Sequence, residues 1–196
     1  MSATPALFFF GAMSPYSWLA AERIESVLAQ AHWRPVLLGA IFKAHDRVSW
    51  GMTDRRAEEM SECERRAAER GLGPIAWPDP WPTSDLLIAR AMIHAERVGS
   101  LRPFALGAMR MAFREGADLA ERGVVLEAGR RTLADPDALQ AVLEDASLKE
   151  SLRACTQEAL DRGVFGVPTV AVGDELFWGD DRLEEAAVAY NARRTP

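Results

Sequence analysis

The chain changes its hydrophobic period twice, and this limits its possible folds more than any other feature. Its two ends carry short continuous apolar runs, whereas from about Asp54 to Gly163 the apolar residues recur at helical spacing almost throughout. At the N-terminal end "ALFFFG" is a run closed by Gly11, which suits a strand covered on both faces of a sheet. A helix is predicted over Pro15 to Gln30, with Tyr16, Ala20, Ile24, Val27 and Leu28 along one side, Ser14 as its cap and Pro15 as its first residue. A second apolar run, Val36 to Leu38, gives the next strand, and strand, helix, strand with short links makes a parallel crossover pair.

In the helical stretch, Phe104, Ala105, Ala108, Met109, Ala112 and Phe113 form the clearest stripe, and Asp135 followed by Pro136 opens another helix. The proline-rich loop Gly73 to Ser84, "GPIAWPDPWPTS", cannot be helical through its middle. After Gly163 the β pattern returns: Thr169 to Val172, a turn at Gly173-Asp174, and Glu175 to Trp178 form a hairpin. A last helix starts near Arg182, with Asp180 or Asp181 as its cap. The expected division is a β-bearing domain of residues 1–53 and 164–196 interrupted by a helical subdomain of residues 54–163.

At 196 residues and 48% hydrophobic, the chain is long enough to bury a sizeable core. The net charge is -6, with basic and acidic residues interleaved as in "DRRAEEMSECERRAAER", which disfavours nucleic acid as a partner. Leu7 to Phe10 is too short for a membrane span and lacks the flanks of a signal peptide, so a cytoplasmic location is expected. The two cysteines, Cys63 and Cys155, each fall on a helical apolar stripe and read as packing thiols, and no cluster has zinc-ligand spacing. His32, His45 and His94 stand in no recognisable base arrangement, and "GAMSPYS" is not a nucleophile elbow, which argues against a hydrolase.

The segments "SPYSWLA", "GVFGVPTVAV" and "ELFWGDDRLEEA", with "LLGAIFKA" and "IAWPDPWP" between them, resemble those of the 2-hydroxychromene-2-carboxylate isomerases. These are glutathione-dependent relatives of the kappa-class glutathione transferases within the DsbA-like group. The resemblance implies an α/β thioredoxin-like fold with a large all-helical insertion, a glutathione cofactor, an aromatic carboxylate substrate and a homodimer. "SPYS" sets Ser14 and Ser17 where redox relatives carry two cysteines, so the chain offers no sulfur at the helix start, and the resemblance implies that glutathione supplies it.

On the same resemblance Ser14 is the catalytic hydroxyl, although locally it reads equally well as a plain cap. Ser17 reads as solvent-facing. Pro168 falls where the thioredoxin fold carries a cis-proline; it and Val167 are expected to hold the cofactor, a trans proline opening a strand being the local alternative. Asp181 and Arg182 are matched to the γ-glutamyl end, or else only to a helix cap and a surface contact, and Asp180 does little beyond capping. Lys43 is either the substrate-carboxylate ligand or a solvated lysine, and Trp81, with Trp50, Trp77 and Pro82, either walls an aromatic cleft or packs structurally. Two positions depart from the family pattern, Arg47 and Ser84 standing where asparagines are usual. A kappa-like glutathione transferase and a redox-inert thioredoxin-fold binding module are the alternative functions.

Overall fold

A computed structural model describes residues 5–194. Four strands, β1 (Leu7–Phe10), β2 (His32–Pro35), β3 (Thr169–Val172) and β4 (Glu175–Trp178), form one sheet in the order β2-β1-β3-β4. β1 runs parallel to β2 and antiparallel to β3, and β3 and β4 form the expected hairpin with Gly173 at φ 60°. Helices α1 (Pro15–Ala21), α2 (Ile24–Leu28) and α3 (Leu38–Ala44) belong to the N-terminal segment, and α10 (Leu183–Ala192) follows the hairpin. Between them lie α4 (Arg56–Glu69), α5 (Leu86–Arg97), α6 (Leu101–Glu115), α7 (Arg122–Thr132), α8 (Pro136–Val142) and α9 (Ala146–Asp161).

The apolar run of β1 is explained by layers on both of its faces. Phe8 and Phe10 point into the larger core, with Trp18, Phe104, Phe113, Val170 and Val172, while Leu7 and Phe9 point into a smaller one with Val36, Ile41, Ala159 and Val167. Period-two alternation along a strand makes this division, and neither face tolerates a polar residue. The stripe read from α6 is buried along its whole length, from Phe104 to Phe113. Asp135 caps α8 by accepting from the Ala138 N–H at 3.1 Å.

Three local expectations are corrected. The second strand lies at His32–Pro35, not at Val36–Leu38. It is a sheet edge, where proline and a charged residue are tolerated, and Arg34 there is matched by Glu96 at 3.2 Å and Glu158 at 2.5 Å. The first helix breaks after Ala21, where the Arg23 N–H turns to the Ala20 carbonyl, three residues back. The last helix starts at Leu183 with Arg182 at its cap position, and neither aspartate caps it. Among the described residues no helix is long and apolar enough to cross a membrane.

Candidate active site

The ends of β1, β3 and β4 open onto a cleft of about 480 Å³. Ser14 enters it because Gly11 closes the strand and Pro15 starts α1: the Ser14 Oγ accepts from the Ser17 N–H at 3.2 Å, leaving its own proton free to donate. Ser17 does not face solvent as expected. It is fully buried, and its Oγ accepts from the Gly11 N–H at 3.3 Å, tying helix start to strand end.

Opposite Ser14 stand Gly166, Val167 and Pro168, and the Val167-Pro168 peptide is cis. The Val167 N–H and C=O enter no hydrogen bond among the described residues, although the residue is buried. A buried main chain normally has partners, so this segment presents a donor and an acceptor to whatever fills the cleft.

Asp180 and Asp181 diverge. Asp180 is 1% exposed and is clasped by Arg66 at 2.6 Å and Arg70 at 2.5 Å, so it pins the β4–α10 turn to α4 and is far more than a cap. Asp181 remains 58% exposed in the cleft wall, 3.5 Å from Arg66. Arg182 also lines the cleft, paired with Glu185 at 2.6 Å.

Trp81 is buried; its Nε1–H donates to the Met13 carbonyl at 3.2 Å, and its ring lies 4.8 Å from that of Trp50, which also lines the cleft. Gly51 permits this packing, since a Cβ there would lie 2.6 Å from the Trp81 ring. Trp77 packs behind Trp81, its ring 5.0 Å away and tilted by 58°, and does not line the cleft. Lys43 is exposed on α3 and is not brought to the cleft, which takes Leu38 and Phe42 from that helix and Arg47 from the turn beyond it. Ser84 is exposed and likewise outside.

Tyr16, Glu59, Arg66 and Trp178 are among the cleft residues not singled out as site residues from the sequence. The Tyr16 O–H donates to Glu59 Oε2 at 2.6 Å, and burial together with that carboxylate pushes the phenol far above its ordinary value, so it stays protonated. Glu59 also pairs with Arg55. The available signal is that Glu59, Cys63, Arg66 and Arg70 recur at helical spacing within the charge run, which sets them on one side of α4.

Neither cysteine lines the cleft. Burial pushes the Cys63 thiol up to about 12, and burial also raises that of Cys155. No His, Cys, Asp and Glu cluster among the described residues could hold a metal. The cleft therefore offers hydroxyl, main-chain and charged groups around a space that Met13 lines with a thioether but that holds no thiol of its own.

A family model described as a DSBA-like thioredoxin domain matches residues 7–191. A 2-hydroxychromene-2-carboxylate isomerase of Sphingobium xenophagum is 25% identical over 186 residues, covering 90% of this chain and 93% of the relative. One of Pseudomonas putida is 26% identical over 184 residues, covering 90% and 89%. Among solved structures, a selenomethionine form of 2-hydroxychromene-2-carboxylate isomerase superposes with a TM-score of 0.81 at 21% identity over 96% of both chains. The cytosolic disulfide reductase DsbM of Pseudomonas aeruginosa with GSH superposes with a TM-score of 0.65 at 14% identity, again over 96% of both chains. With a matching sequence model over nearly its whole length and the sheet order and helical insertion seen here, the chain belongs to the family of DSBA-like thioredoxin domains.

Proposed function

We propose that this protein is a glutathione-dependent isomerase acting on 2-hydroxychromene-2-carboxylate or a related aromatic carboxylate. One observation carries the reading: Ser14 at a helix start, the unpartnered main chain of Val167 and the exposed Asp181 converge on a cleft that no cysteine lines. A thioredoxin-type site without a thiol can do the thiol chemistry of this fold only if one is brought to it. The curated relatives named above add support, as does the superposable reductase described with GSH.

The residues present fit that tripeptide. The Val167 N–H and C=O suit the cysteinyl main chain, as an added strand pairs with a free edge. The Asp181 carboxylate suits the γ-glutamyl ammonium, and Arg182 beside it suits the carboxylate. When bound, glutathione supplies a thiolate, which is both a good nucleophile and a good leaving group. The Ser14 O–H would donate toward that sulfur, and of the first-turn amides of α1 the Tyr16 N–H has no partner among the described residues, Ser17 and Trp18 bonding back to Ser14. A charge-assisted hydrogen bond is worth roughly 1.5–3 kcal/mol, about one to two pKa units, enough to move a thiol from mostly protonated to mostly ionised near neutral pH. Trp50, Trp81 and Phe42 wall the space in which an aromatic ring lies, and the Tyr16 phenol, held by Glu59, keeps its proton throughout.

Titrating the purified protein with glutathione, by calorimetry and by thiolate absorbance across pH, tests the reading, followed by turnover of 2-hydroxychromene-2-carboxylate with and without the thiol. Saturable binding, a lowered thiol pKa and thiol-dependent turnover are expected. Absence of binding would refute it.

A further inference from the structure

Four arginines line the cleft, and three of them have carboxylate partners. Arg55 pairs with Glu59, Arg66 with Glu62, Asp180 and Asp181, and Arg182 with Glu185. Arg47 has none among the described residues. Its Nη1 donates to the Phe165 carbonyl at 3.0 Å, and its guanidinium carbon lies 5.8 Å from the ring centroids of both Phe165 and Trp178. Those two rings are themselves 4.9 Å apart.

Arg47 is exposed, and a cation resting on one carbonyl and two rings keeps N–H groups to spare. Guanidinium is weakly hydrated, stacks on aromatic faces and meets a carboxylate with two parallel hydrogen bonds. Lys43, the lysine expected to hold an anion, stands outside the cleft, and Arg47 is inside it. We infer that Arg47 is an anion-binding residue of this cleft, apart from Arg182, and that its ligand is a carboxylate attached to, or carried beside, an aromatic group lying against Trp178. Two carboxylates have that chemistry, the one on the aromatic substrate and the glycyl one of glutathione; both rest on the function proposed above, the second on its glutathione dependence and the first only on its substrate class.

Two pairs of probes separate them. Coumarin-3-carboxylate is compared with its uncharged 3-carboxamide, and glutathione with its glycyl ethyl ester, each titrated by calorimetry into wild type, Arg47→Met, Arg47→Lys and Lys43→Met. The expected result is a preference of about tenfold for the charged member of one pair, lost in Arg47→Met, partly kept in Arg47→Lys and untouched in Lys43→Met. Loss on the coumarin pair assigns Arg47 to the substrate, and loss on the glutathione pair assigns it to the glycyl end. No preference in wild type, survival of the preference in Arg47→Met, or its loss in Lys43→Met overturns the inference. If wild type binds no glutathione while Arg47 still discriminates the coumarins, the glutathione reading fails and the anion site stands.

Discussion

Asp85 offers the sharpest test of the physical reasoning, because a buried acid with no counter-ion must register its burial as pH dependence. Its carboxylate is 9% exposed and accepts from the Leu38 N–H at 3.1 Å, closing the first turn of α3, the helix that lends Leu38 and Phe42 to the cleft. No cation pairs with it among the described residues. Burial raises its pKa from 3.8 to about 6, an effect that the Leu38 hydrogen bond only partly offsets. The folded state thus holds the proton more tightly than the unfolded chain. The associated stability is fully present below the unfolded value and is lost as pH rises through the folded one. For 3.8 unfolded and about 6 folded, the loss between about pH 4 and about pH 7 is roughly 2 kcal/mol, about a thirtyfold change in the folding equilibrium. Asp85→Asn keeps an acceptor for Leu38 and cannot titrate. Urea unfolding of both proteins across that range, read by far-ultraviolet circular dichroism, should show wild type losing about 2 kcal/mol relative to the variant as pH rises. Parallel profiles would mean that the carboxylate is solvated and the argument from burial is wrong.

Ser14→Ala should cost about 1 kcal/mol of stability through the lost cap and lower turnover of the chromene carboxylate by about ten- to a hundredfold; unchanged turnover would remove Ser14 from the chemistry. The neighbouring aspartates should separate: Asp180→Asn, stranding Arg70 and taking from Arg66 one of its three carboxylates, should destabilise by about 3 kcal/mol in chemical denaturation, whereas Asp181→Asn should stay within about 0.5 kcal/mol and weaken glutathione binding. A reversal of that order would show that the buried cluster is not what holds the β4–α10 turn. Both thiols should resist a chromogenic disulfide reagent in the native protein and react in denaturant, since burial raises both; rapid native labelling would contradict the burial of Cys63.

What could be read in the sequence followed from local period and turn chemistry. The run Leu7 to Phe10, the hairpin around Gly173, the buried face of α6 and the Ser14 and Asp135 caps depend on residues within a few positions of each other, and the structure shows them as expected. The convergence of Ser14, Val167, Pro168, Asp181, Arg182 and Trp81 on one cleft was anticipated only through a family resemblance. Tertiary structure decided the rest. β2 is a strand because "HWRP" pairs with β1 at an edge where Arg34 finds two acids from distant helices; no local pattern encodes that. Asp180 and Asp181 are adjacent and chemically identical, yet one is buried between Arg66 and Arg70 at the end of α4 and the other is largely exposed in the cleft wall, a difference fixed by how that helix lies over the turn. The same holds for Lys43 and Arg47, four positions apart, since the end of α3 leaves the lysine in solvent and carries the arginine against Phe165 and Trp178. Periodicity tells which residues share a face; which faces meet, and so which charges lose their water, is settled only when elements far apart in the chain pack together.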